Sequence, residues 1–211
     1  MPSSPQVVNG AYSRRVVSSV NRAPGRCPTS ARALLLSLSV VMLLGGLATL
    51  SHAQVISRPA VPEKIRAPAG ETLVLVARAS GSQIYVCQRA ASPKDRPRWT
   101  LKAPDAQLHD RSGAVIGHHY AGPTWQHADG SKVSGHVAAQ VDSPEAASIP
   151  WLLITATDHS GTGVFTAVNS IQRIHTKGGQ PPPASACNAS TLDAEKRSSY
   201  TADYYFYAAA K

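Results

Sequence analysis

The sequence predicts a single all-β domain, a sandwich or a closed barrel of about eight to ten short strands, behind an N-terminal signal segment. Three observations lead to this fold class. Apolar and polar residues alternate with a period of two from Thr72 onwards, which is typical of strands. Turn sequences such as Asp129-Gly130 recur at short intervals. No stretch has the periodicity of an amphipathic helix.

The first 53 residues have the order of a secretory signal. An uncharged apolar run over 33–50 follows Arg32, and Ser51-His52-Ala53 places small residues at the two positions that a signal peptidase reads. We therefore predict a signal peptide over 1–53 with a long basic n-region, and export to the periplasm or the cell exterior. The alternative is an uncleaved anchor, because a run of 18 apolar residues is close to the shortest membrane span.

The basic excess of the chain belongs in large part to this leader. The 211 residues include 21 Lys and Arg against 12 Asp and Glu, a formal net charge of +9. Five of the arginines lie in the leader, so residues 54–211 have a net charge of only +4. This small excess argues against a nucleic-acid-binding protein. Only 16% of the residues are charged, too few for a charge-driven disordered chain.

After the leader, an extended arm precedes the β domain. Residues 54–70 contain three prolines without sustained periodicity, and residues 71–211 form the single β domain. The first strand begins at Thr72, Gly81-Ser82 is a turn, and a second strand covers 83–88. Further strands are predicted over 98–101, 104–108, 114–120, 132–139, 149–156, 164–176 and 200–207.

The closing strand is rich in aromatic residues. Alternation places Tyr200, Ala202, Tyr204 and Phe206 on its core face, and Asp203 on the other face. Asp203 is either a hydrogen-bond acceptor among tyrosines or a catalytic acid with a raised pKa.

Two cysteines, Cys87 and Cys187, remain after the leader, which contains the third, Cys27. In an exported protein two cysteines most simply form one disulfide, so we predict a Cys87–Cys187 bond. On the chain-entropy view, closing such a long loop stabilises the fold by at most about 4–5 kcal/mol. The same count argues against a four-cysteine metal site.

Seven segments after the leader follow one another in the order and spacing of a known family. They are 81–87 (GSQIYVC), 117–120 (GHHY), 121–131 (AGPTWQHADGS), 151–153 (WLL), 171–179 (IQRIHTKGG), Pro181-Pro182 with Cys187, and 200–207 (YTADYYFY). Together they resemble the exported bacterial and fungal proteins grouped as domain of unknown function 3455. The resemblance implies an exported β-rich domain, and it assigns no catalytic residue.

The sequence lacks the short motifs of the common enzyme classes. It contains no glycine-rich dinucleotide turn between a strand and a helix, and no GxxxxGK[ST] phosphate loop. The GxSxG nucleophile elbow and the HExxH zinc motif are also absent. The sequence therefore favours a non-enzymatic role and leaves an unusual enzyme open.

Seven histidines after the leader raise the question of a metal site. His118 and His119 point to opposite faces if their segment is a strand, so only one of them can enter a given site. In the predicted hairpin, His136 is roughly 13 Å from His127, too far for both to bind one zinc ion. We expect surface or hydrogen-bonded histidines and predict no cofactor. A site that joins His119 to a distant residue, such as His175 or Asp203, is the alternative.

The hairpin around Asp129-Gly130 is the strongest candidate for a binding surface. With a two-residue turn, His127 lies opposite Lys132, and Trp125 shares their side of the sheet. An aromatic ring flanked by polar side chains is a plausible platform for a glycan or another flat ligand. The alternative is that Trp125 fills one end of the core.

These observations predict an exported, non-catalytic binding or envelope-associated module with a glycan or another small ligand as its partner. The candidate ligand-binding residues are His119, Tyr120, Trp125, His127, Asp129, Lys132 and Asp203. One alternative is a hydrolase or metal-dependent enzyme that uses His119, Asp129 or Asp203. A second is a purely structural or stress-related exported protein. Nucleic acid is not an expected partner, and membrane contact would come only through an uncleaved leader. The oligomeric state and the translation start are left open.

Overall fold

The structure, a computed structural model, describes residues 57–92 and 95–210, so the predicted signal segment lies outside the described residues. Eight antiparallel strands form a closed barrel in chain order, and the last strand pairs with the first. The strands are β1 (Glu71–Gln88), β2 (Arg98–His109), β3 (Val115–Tyr120), β4 (Thr124–His127), β5 (Lys132–Val141), β6 (Trp151–Ser160), β7 (Val168–Gly178) and β8 (Glu195–Ala209). The prediction of an all-β fold is confirmed, and the closed barrel is the architecture that forms.

Helical structure is minor in the described part of the chain. It consists of three 3-10 helices of three residues each, at Glu63–Ile65, Ala184–Ala186 and Ala189–Thr191. None of the helices in this part of the chain has the length and apolarity needed to cross a membrane.

Several strands are longer than predicted, but β3 and β7 are shorter, and the strand predicted from residue 164 begins only at Val168. The predicted turn at Gly81-Ser82 is wrong. β1 passes through Gly81 as one strand of 18 residues. A Cβ at position 81 would lie 2.2 Å from the carbonyl oxygen of Asp105 on β2, so glycine permits the close approach of the two strands. The strands predicted over 98–101 and 104–108 also form one strand, β2.

The hairpin between β4 and β5 has a three-residue turn in place of the predicted two-residue turn. The backbone N–H of His127 donates to the carbonyl of Ser131 at 2.9 Å, and the N–H of Gly130 donates to the carbonyl of His127 at 3.0 Å. Gly130 has a φ of 91°, the left-handed conformation that closes such turns.

This longer turn changes the register of the hairpin by one residue. Trp125 lies opposite Val133, and Lys132 lies opposite Gln126. Because side chains alternate between the two faces of a strand, Trp125 points into the barrel and Lys132 points outward. The two residues therefore do not share the surface that the two-residue turn predicts.

The barrel has two distinct ends. We call lower the end that carries the β2–β3, β4–β5 and β6–β7 connections, and upper the end that carries the other connections. Inward-pointing apolar side chains form one continuous core between them. The buried core includes Tyr200, Ala202, Tyr204 and Phe206, so the predicted core face of β8 is confirmed.

The described part of the predicted arm packs against β7 and β8. The side chain of Ile65 is buried, and its backbone carbonyl accepts a hydrogen bond of 2.6 Å from the amide nitrogen of Gln172 on β7. The guanidinium of Arg58 lies over the ring of Tyr207 on β8, 5.1 Å from the ring centroid. The arm thus covers these two strands from outside with both apolar and charged groups.

The predicted disulfide between Cys87 and Cys187 is present. It joins the upper end of β1 to the connection between β7 and β8, across 100 residues of sequence. The backbone N–H of Asp193 also donates to the carbonyl of Cys87 at 2.9 Å. This long connection is therefore held to the barrel by both covalent and hydrogen bonds.

Candidate functional site

The barrel wall has an opening beyond the tip of the short β3–β4 hairpin. β2 pairs with β3 only over 106–109, and β5 pairs with β4 only over 132–134. The remaining parts of these strands, 98–105 and 135–141, extend past the hairpin tip at 121–123. No strand of the described chain lies between them. The wall therefore has a lateral gap toward the upper end.

Two exposed apolar side chains mark this opening. Leu101 lies opposite the buried Tyr85, and Val137 lies opposite the buried Ile154. Residues that face each other across a strand pair lie on the same face of the sheet, so Leu101 and Val137 point toward the lumen. They are nevertheless 50% and 48% exposed. Solvent thus reaches inward-pointing side chains at this place.

A cavity of about 110 Å³ lies behind the opening. Its wall is mostly apolar and includes Leu101 and Val137 at the mouth, with Leu152 and Ile154 deeper in the lumen. Polar groups in the wall come from five residues, namely Gln83, His119, Trp125, Arg173 and Tyr204. A mostly apolar cavity with a few polar groups is the usual composition of a small-molecule site.

His119 lies at the centre of an aromatic cluster in this wall. Its ring stacks on Trp125 with centroids 4.3 Å apart and planes 8° apart, and it meets the edge of Tyr204 at 5.2 Å. Its Nδ1 is 2.9 Å from the carbonyl oxygen of Thr124, which only accepts, so Nδ1 carries the proton. The lone pair of the neutral ring is therefore on Nε2.

Burial keeps this histidine neutral. Loss of hydration lowers the pKa of His119 to about 3, and the nearby positive charge of Arg173 acts in the same direction. These causes outweigh the hydrogen bond to Thr124, which raises the pKa. His119 is thus a neutral, oriented ring at physiological pH.

Unpaired polar atoms concentrate at the cavity. Within residues 57–92 and 95–210, five buried side-chain atoms have no hydrogen-bond partner: Nε2 of Gln83, Nε1 of Trp125 and Trp151, and the hydroxyl oxygens of Tyr200 and Tyr204. Three of these atoms belong to residues that line the cavity. An unpaired buried polar group costs about 1–3 kcal/mol, so folded proteins rarely keep several together without a functional reason.

Arg173 places a positive charge inside the barrel. It lies opposite Leu152 on β6 and Tyr204 on β8, both of which are buried. Its guanidinium donates from Nε and Nη2 to the carbonyl oxygen of Pro150, at 3.3 and 2.8 Å. Among the described residues, no carboxylate forms an ion pair with it.

Two candidates from the sequence, His119 and Trp125, are brought together in the cavity wall, and Tyr120 and Lys132 are not. The hydroxyl of Tyr120 donates to Oε1 of Gln126 at 3.1 Å, and Lys132 lies opposite the same glutamine on the outer face of the hairpin. These two residues therefore belong to the outer surface.

Asp129 and His127 lie at the lower end. The Asp129 carboxylate accepts hydrogen bonds from the hydroxyl of Ser131 at 2.6 Å and from the backbone N–H of Val164 at 2.8 Å. These bonds, first that of Ser131, hold the pKa of Asp129 well below its usual value. The ring of His127 meets the edge of Phe165 at 5.8 Å. Both residues thereby join the β4–β5 turn to the β6–β7 connection.

Asp203 lies on the outer face of β8. Its carboxylate is 2.9 Å from Nδ1 of His175, and it borders an open groove of about 580 Å³ that also includes Arg78 and Arg111. The structure therefore does not bring His119 together with His175 or Asp203. The described part of the chain contains no group of three or more His, Cys, Asp or Glu residues that could hold a metal ion.

Gln83 and Arg173 line the cavity but are not among the candidates from the sequence, and alternation along β8 places Tyr204 in the core alone. A signal was available for Arg173, because it follows the core residue Ile171 at a spacing of two in a strand. That spacing places the arginine on the inner face of the sheet, where an unpaired charge is unusual.

The fold and this cavity define a class of protein: a small closed β barrel with a lateral opening into its lumen. The family described as "Protein of unknown function (DUF3455)" matches residues 68–208, and this chain belongs to that family. All the residues that line the cavity lie within the matched region. No curated protein and no solved structure matches the chain significantly.

Proposed function

We propose that this protein is an exported, non-catalytic binding module that takes a small, compact, mainly apolar molecule into the cavity of its barrel. The cavity is the main observation in support of the proposal, because an apolar wall, an opening to solvent and unpaired buried polar atoms occur together there. The Cys87–Cys187 disulfide supports export, since such bonds persist in oxidising compartments.

The volume of the cavity limits the size of the ligand. Sites for drug-sized molecules have volumes of roughly 300–1,000 Å³. A protein cavity of about 150 Å³ holds a single benzene molecule. At about 110 Å³, this cavity is smaller, so it accommodates at most one ring or a short branched chain. Any larger part of a ligand would extend past Leu101 and Val137 into solvent.

The chemistry of the wall favours an apolar ligand over the glycan expected from the sequence. A sugar presents hydroxyl groups around its whole ring, whereas Leu152, Ile154 and the residues of the mouth offer it no hydrogen bonds. The few polar atoms in the wall match a molecule with a single polar group. The proposal therefore narrows the ligand to a compact apolar body with one polar end.

The arrangement of the candidate residues favours binding over catalysis. His119 lies in the cavity, Asp129 at the lower end and Asp203 on the outer face of β8. No Ser, Cys, Asp or Glu among the described residues lines the cavity beside His119. A neutral histidine without a neighbouring nucleophile or carboxylate lacks the partners of acid–base or covalent catalysis.

The test is an NMR titration of the purified protein with benzyl alcohol, observed at the indole N–H signals of the three tryptophans. Binding in the cavity is expected to shift the Trp125 signal in a saturable manner at millimolar concentration. The Trp99 signal should stay constant, because its Nε1 donates to the carbonyl of Pro183, away from the cavity, at 3.2 Å. An unmoved Trp125 signal would contradict the proposal.

A pair of matched variants controls for binding elsewhere. Val137→Trp places a large side chain in the mouth and should abolish the Trp125 shift. Val115→Trp makes the same change at a residue that is 55% exposed and does not line the cavity, so the shift should remain. Equal shifts in both variants would place the ligand outside the barrel and overturn the proposal.

A further inference from the structure

Among the described residues, Arg173 is the only one in the cavity wall that is charged at neutral pH, since His119 is held neutral there. A cation that is partly removed from water loses hydration energy, and a nearby anion compensates for this loss best. The charge also acts on its surroundings. Burial lowers the pKa of His119 and Arg173 adds to this fall, whereas burial raises the pKa of Tyr204 and Arg173 opposes the rise. The lumen therefore has a positive potential next to an apolar space.

The described part of the chain supplies this guanidinium with a carbonyl oxygen but with no counter-ion. The bonds to Pro150 leave further N–H groups of Arg173 available to another acceptor. On the outer surface, Arg197 and Asp105 form an ion pair, so this barrel does pair arginine with carboxylate elsewhere. No described Asp or Glu lines the cavity to do the same for Arg173.

Several other polar atoms of the wall need acceptors as well. The indole N–H of Trp125 can only donate, as can the guanidinium of Arg173. The amide nitrogen of Gln83 and the hydroxyl of Tyr204 are also buried without partners in the described chain. A suitable ligand therefore supplies several acceptor positions on one end.

We infer that the ligand of this cavity is a small monocarboxylic acid, whose carboxylate binds Arg173 and whose compact apolar body fills the space behind Leu101 and Val137. This inference rests on the proposed function. A carboxylate offers two oxygens, four lone-pair positions and a negative charge, and its plane matches the guanidinium fork. A neutral carbonyl compound would satisfy the donors and leave the charge of Arg173 unbalanced.

The experiment compares benzoate, benzamide and benzyl alcohol, which share one ring and differ in the polar group. Dissociation constants are measured on the wild-type protein from the Trp125 signal. Benzoate is expected to bind about tenfold more tightly than benzamide, because hydrogen bonds between ionised groups are roughly twice as strong as neutral ones. Benzyl alcohol should bind more weakly than benzoate for the same reason.

Three substitutions test whether Arg173 causes the preference. Arg173→Met removes the charge with a similar volume, and the ratio of benzamide to benzoate dissociation constants should fall to about one. Arg78→Met removes an equal charge from the outer groove and should keep the wild-type ratio. Arg173→Lys retains the charge but cannot form the two parallel hydrogen bonds of a guanidinium, so it should keep part of the preference. This variant tests the inference if the methionine variant does not fold.

The outcomes separate the two proposals. Equal affinity of the wild-type protein for benzoate and benzamide would overturn the carboxylate inference and leave the proposed function standing. Equal weakening of both ligands by Arg173→Met would also overturn it, since the arginine would then only shape the cavity. If none of the three compounds binds, the proposed function is wrong and the inference fails with it.

Discussion

The lumen is filled at its lower end and partly open at its upper end, although the same eight strands form both. At the lower end the rings of Phe165 and Phe206 pack with centroids 4.6 Å apart, and Val133 is buried in the same core. None of these residues carries a polar side-chain atom. Toward the upper end, Gln83 and Tyr204 keep unpaired polar atoms beside a cavity.

The two ends differ because a connecting segment enters the lumen at the lower end. The β6–β7 connection places Phe165 inside the lower end, and its backbone N–H donates to the hydroxyl of Ser131 at 3.1 Å. Asp129 accepts from Ser131 and Val164 and so holds the same connection. Toward the upper end, the short β3–β4 hairpin leaves a gap in the wall instead. We therefore expect the lower end to provide stability and the upper end to provide binding.

The largest expected effect is the loss of the Phe165 ring, which fills the lower end. Phe165→Ala removes a fully buried aromatic side chain and should lower the free energy of unfolding by about 3–5 kcal/mol. Denaturant unfolding measures this loss, provided that wild type and variant share the same slope of unfolding free energy against denaturant concentration. Phe165→Leu, which keeps most of the volume, should cost less than half as much. If the alanine variant costs under about 1 kcal/mol, the lower end is not the stable part of the barrel.

An intermediate effect is expected from acidification of the upper end. The folded-state pKa of His119 is lowered from 6.5 to about 3, so between these values the unfolded chain binds more protons than the folded one. Stability should therefore fall as the pH drops below about 6.5, by up to about 1.4 kcal/mol per pH unit from this residue.

The variant His119→Phe, which keeps an aromatic ring beside Trp125, isolates this contribution. Unfolding curves of both proteins between about pH 6.5 and pH 4.5 avoid most carboxylate titration. The free energy of unfolding of the wild type minus that of the variant should fall steadily across this window as the pH falls. A constant difference would mean that His119 is protonated equally in the folded and unfolded chains.

The smallest expected effect compares two buried tyrosines. The hydroxyl of Tyr207 donates to Oε1 of Gln172 at 2.5 Å, whereas the hydroxyl of Tyr204 has no partner in the described chain. Tyr207→Phe should therefore cost about 1–2 kcal/mol, and Tyr204→Phe should be neutral or slightly stabilising. Thermal unfolding of the two variants measures the contrast. Equal losses would show that the Tyr204 hydroxyl is satisfied, which would weaken the distinction between the two ends.

Local patterns were sufficient to predict the fold class and several of its details. Alternation identified the buried face of β8, from Tyr200 to Phe206, because it depends only on neighbouring residues of one strand. The count of cysteines outside the predicted leader led to the Cys87–Cys187 bond by the same kind of local argument. Two of the candidate residues from the sequence, His119 and Trp125, both line the cavity.

Predictions that required contact between strands were the ones that failed. Gly81 and the serine after it are typical turn residues. Only the close approach of Asp105 on the next strand explains why β1 has a glycine there and continues through it. The hairpin register depended on whether the turn at Gly130 has two or three residues, and one residue moves every side chain to the other face. Trp125 consequently lines the lumen and does not share the outer surface of Lys132.

The sequence by itself determined an all-β domain, its family and its disulfide, because alternation, segment order and cysteine count are properties of the chain read in one dimension. The tertiary structure alone decided that Arg173, Gln83 and Trp125 surround one cavity, and that a gap in the wall opens it to solvent. These residues come from three strands far apart in sequence, and only the register and closure of the barrel bring their side chains together.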